Sequence, residues 1–511
     1  MTSSDFSSLK DMVGRQAPDA VAFAASGVEP LRYAGLDQLI ERTVATLNQL
    51  GIGRGDRVAI VLGNGPEMAC AFVAVASACC AAPLNSAYRA DEFEFYLNDL
   101  QARALIVAEG AESAAIGCAE RLGIAVLRLR ATPALGAGAF ELIASSAVPG
   151  EPTRQPGLAQ PGDVALILHT SGTTSRPKIV PLTQANLCAS ARNISKSLAL
   201  TPDDCELHVM PMFHIHGLIA GVLAPLAVGS RIFCTTGFNA LRFFGQMAES
   251  KPTWYTAVPT MHQAILGRAS ANAQIIAAHP LRFMRSSSSS MPPQVIAELE
   301  SVFKAPLIEA YGMTEATHQM TSNPLPPARR IPGSVGLAAG PEVAIMDEQG
   351  NLLPHGQTGE VVIRGDNVTR GYENNPKANA EAFCNGWFRT GDQGVLDADG
   401  YLSLTGRLKE IINRGGEKIS PREVDEILMD HAAVVQVVTF AMPHPKLGEE
   451  VAAAVVLREG HSATERELRD YVATRLADFK VPRKILLVEE IPKGATGKLQ
   501  RIGLAAKLGL T

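Results

Sequence analysis

Short apolar stretches alternate with helix-like patterns along most of this sequence. Residues 57–62 (RVAIVL), 104–107 (ALIV) and 164–168 (VALIL) are examples of the apolar stretches. Strands that alternate with helical segments are typical of layered α/β folds whose sheets are largely parallel. The pattern therefore predicts an α/β protein built from packed layers.

The chain is too long for a single hydrophobic core. Its 511 residues correspond to roughly two to four domains of ordinary size. Beyond residue 340 or so, segments become shorter and richer in glycine and aspartate, which is typical of turns between β-strands. Such turns are predicted at residues 347–350, 354–359 and 397–400.

A compact α+β unit is predicted at the end of the chain, beginning near Gly406. It contains two predicted helices, each opened by a capping box: Ser420 with Glu423, and Thr464 with Glu467. Three strand-like runs accompany these helices, at residues 434–441, 451–457 and 485–488. A unit of this size is large enough to fold as a small domain.

Composition argues against several classes of partner. The net charge is −5, the isoelectric point is about 6.2 and no basic run is present, so neither nucleic acid nor an anionic membrane is expected to bind. The eight cysteines lack zinc-binding spacing and are expected to be buried, reduced thiols. The start resembles no signal peptide, the final LGLT is no peroxisomal address, and the apolar stretches are shorter than the ~20 residues that span a bilayer. We therefore expect a cytoplasmic protein without membrane insertion.

A loop rich in small hydroxyl residues follows the apolar stretch at 164–168. Residues 169–178 read HTSGTTSRPK, and a helix is predicted to start near Thr183. Backbone N–H groups and hydroxyls in such a loop can donate hydrogen bonds to phosphate, and Lys178 adds a positive charge. The spacing is not that of a Walker loop, so a solvated turn is the alternative. The candidate donors are Thr170, Ser171, Gly172, Thr173 and Thr174.

This loop resembles the signature loop of the adenylate-forming superfamily, which includes acyl-CoA synthetases, luciferases and the adenylation domains of peptide synthetases. Ser175 and Ile179 depart from it, because the family usually has glycine at both positions. The resemblance covers essentially the whole chain, and five motifs in the family's order are far more specific than any one. The other four motifs are residues 309–315 (EAYGMTE), 387–392 (WFRTGD), 406–409 (GRLK) and 492–498 (PKGATGK).

The resemblance implies a fold and an activity. The expected fold is a large N-terminal adenylate-forming domain of packed α/β layers plus a distorted β-barrel (residues 1–408), followed by a small mobile α+β lid domain (residues 409–511). The expected activity is that of an AMP-forming acid–CoA ligase, which uses ATP, Mg²⁺ and coenzyme A. In the first step the carboxylate of a small acid attacks the α-phosphate of ATP, and in the second step the thiol of coenzyme A takes the acyl group.

The resemblance also assigns catalytic and nucleotide-binding roles. Lys498 would reach the α-phosphate from the lid domain, Thr314 would bind phosphate and Glu315 would hold Mg²⁺. Tyr311 would stack on adenine, and Asp392, assisted by Arg407, would accept the ribose hydroxyls. Alternatively, Tyr311 is a core aromatic and Asp392 caps a turn. The remaining residues of the adenine motif are Glu309, Ala310, Gly312 and Met313.

The second step needs a path for coenzyme A. By resemblance the hinge between the domains falls on Lys409, and residues 414–416 (Arg414, Gly415 and Gly416) face the pantetheine tunnel. Two adjacent glycines permit close approach of the backbone to a narrow ligand, although a plain turn is the alternative. Lys409 and Lys418 are predicted to contact the nucleotide.

The acid pocket is predicted to be rich in hydroxyls and imidazoles. Its candidates are His214, which is also a candidate catalytic residue, Ser288, Ser289 and His318. A long apolar chain would leave such groups buried and unpaired, whereas a compact dianionic acid would satisfy them. Residues 210–218 (MPMFHIHGL) and 309–326 (EAYGMTEATHQMTSNPLP) resemble the corresponding stretches of the oxalate-activating members of the family. Alternatively, His214 only gates the tunnel, His318 is a core histidine, and Ser288 and Ser289 belong to a loop that binds adenine through its backbone.

Other functions stay open. Within enzymes, the alternative substrates are medium-chain fatty, malonic or aryl acids. A carrier protein is not expected in place of coenzyme A, because no carrier domain is visible and the two glycines favour coenzyme A. A non-catalytic nucleotide-binding scaffold is the alternative from another class. We expect a monomer or a homodimer.

Overall fold

The computed structural model describes residues 6–144, 153, 155–170, 177–492 and 499–510. Within these ranges the strands form sheets of nine, seven, six and five strands. The strands are β1 (Val21–Ala25), β2 (Val28–Arg32), β3 (Arg57–Val61), β4 (Cys80–Pro83), β5 (Ala104–Ala108), β6 (Ala125–Ala131), β7 (Phe140–Ala144), β8 (Val164–Thr170), β9 (Lys178–Thr183), β10 (Cys205–His208), β11 (Arg231–Cys234), β12 (Trp254–Ala257), β13 (Phe283–Ser286), β14 (Leu307–Met313), β15 (His318–Ser322), β16 (Leu337–Ala338), β17 (Glu342–Met346), β18 (Leu352–Leu353), β19 (Thr358–Arg364), β20 (Phe383–Cys384), β21 (Trp387–Leu396), β22 (Leu402–Arg407), β23 (Ile412–Arg414), β24 (Glu417–Ile419), β25 (Val434–His444), β26 (Gly448–Leu457) and β27 (Lys484–Leu487).

Helices cover the sheets and connect their strands. The α-helices are α1 (Leu9–Gly14), α2 (Tyr33–Gln49), α3 (Pro66–Ala78), α4 (Ala90–Leu100), α5 (Ala114–Arg121), α6 (Gln184–Ser197), α7 (Ala224–Leu226), α8 (Phe243–Ser250), α9 (Pro259–Leu266), α10 (Ala273–Ala278), α11 (Pro293–Phe303), α12 (Pro376–Ala382), α13 (Pro421–Met429), α14 (Glu465–Ala473) and α15 (Leu504–Lys507). A π-helical segment, His216–Leu223, leads directly into α7.

Two large sheets form the N-terminal layers. The nine-stranded sheet has the order β16-β15-β14-β13-β12-β10-β11-β1-β2, and the seven-stranded sheet has the order β7-β6-β5-β3-β4-β8-β9. Their central strands are parallel and their outer strands antiparallel. The helix α3 lies within this core and is buried on every side, as its apolar sequence requires. The predicted α/β class is confirmed.

The predicted phosphate loop lies in a β-hairpin. It joins β8 to β9, which pair antiparallel, so a strand separates the loop from the next helix. That helix, α6, begins at Gln184 and is capped by the Thr183 side chain, close to the predicted start. The predicted helix start near Thr183 is therefore confirmed.

Strands β17 to β22 form an antiparallel sheet that corresponds to the predicted barrel. The predicted turn at 347–350 lies between β17 and β18, and the one at 397–400 lies between β21 and β22. The turn predicted at 354–359 is too long, because Thr358 and Gly359 already belong to β19 and pair with β21. A Cβ on Gly359 would lie 2.6 Å from the carbonyl oxygen of Met346, so glycine permits this close packing of strands.

The C-terminal α+β unit is built on the sheet β24-β23-β26-β25, with β27 beside β26. The apolar faces of α13 and α14 are buried against it. The capping box at Thr464 and Glu467 is confirmed. The one at Ser420 is wrong, because the Ser420 hydroxyl donates to the carbonyl of Thr405 and the Glu423 carboxylate accepts from Lys480 at 2.6 Å.

Two further expectations concern cysteines and membranes. All eight cysteines are free thiols, seven of them buried and Cys384 partly exposed. In the part of the chain that the structure describes, no helix combines the length and apolar character that crossing a membrane requires.

Candidate active site

The adenine motif forms one half of a tight β-hairpin. Strand β14 runs into a short turn, Thr314–Ala316, and β15 returns antiparallel to it. A Cβ on Gly312 would lie 1.6 Å from the carbonyl oxygen of His318, so the hairpin can close only with glycine at this position. Ala310 is buried, whereas Met313 is partly exposed. The motif residues therefore lie at the carboxyl end of β14, the third strand of the nine-stranded sheet.

Tyr311, Asp392 and Arg407 form one hydrogen-bonded group. The Tyr311 hydroxyl donates to Oδ2 of Asp392 at 2.5 Å, and Nε of Arg407 lies 3.1 Å from Oδ1 of the same carboxylate. Burial, followed by the nearby Asp392 carboxylate, raises the pKa of Tyr311 well above its usual value, so the hydroxyl stays protonated. The Asp392 carboxylate also raises the pKa of Arg407. Tyr311 thus contacts the pair of Asp392 and Arg407, which was predicted from other motifs.

Glu315 is buried next to two positive charges. Its Oε1 accepts from the Tyr372 hydroxyl at 2.8 Å, and the ammonium of Lys178 lies 4.2 Å from the centre of the Tyr372 ring. Burial raises the pKa of Glu315, while the hydrogen bond from Tyr372 and the charges of Arg407 and Lys178 oppose this shift. The neighbouring Thr314 is partly exposed. The geometry therefore places the Glu315 carboxyl group between Lys178 and the group formed by Tyr311, Asp392 and Arg407.

The loop end of the β8–β9 hairpin lies beside Tyr372, because Lys178 contacts the Tyr372 ring. Thr170 and Lys178 lie opposite each other as its last described pair. Ile179, one of the departures from the family pattern, is buried in a cluster with Ile167 and Cys80, so it is a packing residue. Five predicted residues lie outside the described residues: Ser171, Gly172, Thr173, Thr174 and Lys498.

The serine run emerges from the carboxyl end of β13. Ser286 and Ser287 are buried, Ser288 is partly exposed and Ser289 is exposed. The backbone of Ser288 has a φ of +75°, which side-chain-bearing residues seldom adopt. Ser288 therefore faces the site from a strained loop, whereas the exposed Ser289 is less well placed to contact a buried acid.

A buried polar cluster lies behind Ser288. The Ser288 hydroxyl is 3.1 Å from Nδ1 of His216, and Nε2 of His216 is 2.6 Å from the Thr256 hydroxyl. The rings of His216 and His318 stack at 4.7 Å. His318 is thus buried, as a core histidine would be, yet its ring contacts the cluster that reaches the serine run.

Arg285 also belongs to this cluster. Its NH1 lies 3.3 Å from Nε2 of His216 and donates to the Thr256 hydroxyl, also at 3.3 Å, and its NH2 donates to Oε1 of Gln319 at 3.2 Å. The side chain is 0% exposed. Burial lowers the pKa of Arg285 to about 9, so the guanidinium is still charged at neutral pH.

The predicted gate and lid residues lie further out. His214 is partly exposed, and its Nδ1 accepts from the backbone N–H of His216 at 3.2 Å. Lys409 and Lys418 are exposed. The predicted tunnel residues form the tip of the β23–β24 hairpin: both glycines have positive φ values, +61° at Gly415 and +104° at Gly416, as a tight turn requires. Arg414 pairs with Glu450 at 2.5 Å.

Comparison with known families decides the class. The AMP-binding enzyme family matches residues 11–373, and its C-terminal domain family matches residues 423–498. The chain belongs to the AMP-binding enzyme family. The predicted membership of the adenylate-forming superfamily is confirmed, and so is the predicted class of enzyme.

Named relatives and solved structures resemble this AMP-binding enzyme over almost its full length. An oxalate–CoA ligase from Arabidopsis thaliana is 45% identical and covers 98% of each chain. An oxalate–CoA ligase from Saccharomyces cerevisiae is 43% identical over 88% of this chain and 86% of its own. The crystal structure of ATP-bound MatB from Rhodopseudomonas palustris is 28% identical, covers 97% of each chain and has a TM-score of 0.86.

Several residues of this AMP-binding enzyme's site were missed from the sequence. Tyr372, Arg285, Thr256 and Gln319 lie outside the family motifs that guided the analysis. His216 lies in the stretch MPMFHIHGL, two residues after His214, but was not predicted to be a site residue. One signal was available: Arg285 follows the apolar residues Phe283 and Met284 and directly precedes the serine run, a position where a charged residue is unusual.

Glu309 makes the stability of this AMP-binding enzyme pH-dependent. Burial raises the pKa of Glu309 to about 8, and its Oε2 accepts from the Gly333 N–H at 3.1 Å. Because the folded pKa is raised, this contribution to stability is fully present below pH 4.5 and is lost as the pH rises through 8. Each unit of pKa difference corresponds to about 1.4 kcal/mol. We therefore expect the melting temperature of the wild type to fall more steeply than that of Glu309→Gln as the pH rises from about 5.5 to about 8.5.

Glu342→Gln is the matched control for this prediction. Glu342 is exposed and pairs with Arg364 at 2.9 Å, which lowers the pKa of Glu342. The carboxylate is therefore ionised throughout the window, and the control should follow the wild-type curve. Parallel curves for wild type and Glu309→Gln would contradict the prediction.

Proposed function

We propose that this AMP-binding enzyme is an AMP-forming acid–CoA ligase that activates oxalate. Full-length similarity to two oxalate–CoA ligases supports the acid. The observation that carries the proposal is the buried polar cluster behind Ser288, in which His216 contacts Ser288, Arg285 and His318. A fatty acid placed there would bury these groups without partners.

In the first step, formation of the adenylate, the residues around Asp392 and Glu315 bind the nucleotide. Asp392 accepts the ribose hydroxyls, and the Tyr311 hydroxyl and Arg407 hold that carboxylate in place. Thr314 and Lys178 bind phosphate oxygens together with the loop at 171–174. Lys498 brings a positive charge to the α-phosphate as the acid attacks and pyrophosphate leaves. Catalysis is thus mainly positioning and electrostatic stabilisation.

The residues present fit a magnesium ion. Mg²⁺ is usually held by one or two carboxylates together with the phosphates of a substrate, rather than by a cage of protein ligands. Glu315 provides one buried carboxylate beside the phosphate-binding region, and among the described residues no group of three or more His, Cys, Asp or Glu forms such a cage. When bound, the ion would neutralise charge on the phosphates of ATP.

The second step, formation of the thioester, gives each of the two proposed domains a role. We propose that residues 1–408 bind ATP and the acid, and that residues 409–511 rotate about Lys409. Rotation would withdraw Lys498 and bring the hairpin of Gly415 and Gly416 against the pantetheine arm of coenzyme A, with His214 at the entrance of the tunnel. The positive φ values of both glycines allow the backbone to approach such a narrow ligand.

An acid screen tests the proposed function. The purified enzyme is incubated with ATP, Mg²⁺, coenzyme A and one acid, and release of AMP is measured. We expect oxalate to give the highest kcat/KM, with malonate well below it and with octanoate and 4-coumarate near background. Omitting coenzyme A should leave only slow AMP release. A preference for octanoate would overturn the oxalate proposal, and no AMP release with any acid would overturn the ligase proposal.

A further inference from the structure

Arg285 is a buried cation without a carboxylate partner. Its three described side-chain contacts are neutral groups on His216, Thr256 and Gln319, and its Nε has no hydrogen-bond partner within the described ranges. Arg282, three residues earlier, differs in both respects, because it is exposed and its guanidinium pairs with Asp204 at 2.9 Å. A buried charge is costly unless it is paired. Among the described residues, no carboxylate contacts the Arg285 guanidinium, so this cation lacks a counter-charge there.

The contacts of Arg285 fix the proton positions on His216. A guanidinium can only donate hydrogen bonds, so we assign Nε2 of His216, 3.3 Å from NH1, as an acceptor. The Thr256 hydroxyl, which accepts from Arg285, then donates to the same Nε2 at 2.6 Å. The ring proton of a neutral His216 is consequently on Nδ1, and Nδ1 donates to the Ser288 hydroxyl at 3.1 Å.

This chain of hydrogen bonds leads from the protein interior toward the surface. Arg285, Thr256 and His216 are buried, whereas Ser288 is partly exposed, so the chain ends at a residue that a ligand can reach. Because the Ser288 oxygen accepts from His216, its own proton is available for an anion. The positive φ of Ser288 and the π-helical segment that starts at His216 are local features that are common at functional sites.

We propose that Arg285 is a positioning residue that selects dianionic acids, an inference that rests on the proposed function. It fixes His216 as a donor at Nδ1, turns the Ser288 hydroxyl toward the second carboxylate of the acid, and supplies the counter-charge for that carboxylate. An acid with one carboxylate leaves the counter-charge unused. Arg285 therefore determines which acid is accepted without contacting the reacting carboxylate.

The first test compares Arg285→Met with the matched control Arg282→Met. Oxalate-dependent ATP–pyrophosphate exchange is measured alongside exchange with glycolate, which has one carboxylate and a similar size. In Arg285→Met we expect the KM for oxalate to rise about 10- to 100-fold, with the KM for ATP unchanged and glycolate used no less well than by wild type. Arg282→Met should keep the wild-type ratio of oxalate to glycolate activity.

The second test uses His216 and separates positioning from a purely structural role. The amide nitrogen of asparagine occupies the place of Nδ1, whereas that of glutamine occupies the place of Nε2. His216→Asn should therefore retain about 10-fold more oxalate kcat/KM than His216→Gln, because only asparagine keeps the donor toward Ser288. This comparison leaves Arg285 intact, so it decides the inference even when Arg285→Met does not fold. Equal losses, or a larger loss in His216→Asn, would overturn it.

The outcomes also separate the inference from the proposed function. Wild-type enzyme that prefers oxalate, together with an unchanged oxalate-to-glycolate ratio in Arg285→Met, overturns only the role of Arg285. Wild-type enzyme that uses glycolate or octanoate better than oxalate overturns both. A selective loss of oxalate use in Arg285→Met supports both.

Discussion

Replacing Lys498 with alanine is expected to slow adenylate formation by about 100- to 1,000-fold, while thioester formation from preformed oxalyl-adenylate continues at close to the wild-type rate. Negative charge accumulates at the α-phosphate only in the first step, so a cation delivered there stabilises that transition state and not the second one. Lys498 ends the GATGK stretch and lies outside the described residues.

The two half-reactions provide the measurement. ATP–pyrophosphate exchange reports adenylation, and formation of oxalyl-CoA from synthetic oxalyl-adenylate and coenzyme A reports the second step. Lys507→Ala is the matched control, since Lys507 is an exposed lysine in α15 of the same domain. This control should leave both rates unchanged. Equal loss of both half-reactions in Lys498→Ala would contradict the proposed role.

Elements that depend on local sequence were predicted well. The apolar runs of β3, β5 and β8 and the cap of α14 each depend on neighbouring residues, and each was found within a few positions of its prediction. The cap at Ser420 failed for the opposite reason: the Ser420 hydroxyl bonds to Thr405, 15 positions away. Local pattern could not reveal that competing partner.

The residues of the candidate site also differ in how well the sequence predicted them. Tyr311, Asp392, Arg407 and Glu315 were predicted through motifs, and the structure brings them together. Arg285 was not predicted as a site residue, because its partners come from three separate elements: β12, the π-helical segment and β15. Its position between apolar residues and serines was a hint, but its partners are known only once the fold brings those elements together.

Replacing Asp392 with alanine is expected to raise the KM for ATP by about 100-fold with a smaller effect on kcat. The carboxylate is the shared acceptor of Tyr311 and Arg407, at 2.5 Å and 3.1 Å. Without it the ribose loses its charged acceptor, and the buried Tyr311 hydroxyl loses its partner. Hydrogen bonds to a charged group contribute about 1.5–3 kcal/mol each, and tenfold in affinity corresponds to about 1.4 kcal/mol, so the loss of one or two accounts for this effect.

Asp397→Ala separates nucleotide binding from turn capping, the alternative role for Asp392. Asp397 accepts from the backbone N–H groups of Asp399 and Tyr401 at 2.9 Å and 2.8 Å, in the turn that follows the same strand. Its removal should lower the melting temperature and leave the KM for ATP unchanged, whereas Asp392→Ala should weaken binding of ATP in calorimetry. If Asp392→Ala instead behaves like Asp397→Ala, Asp392 is a structural residue. The hydrogen bond from Tyr311 then serves only to join β14 to β21, and the ribose must be bound elsewhere.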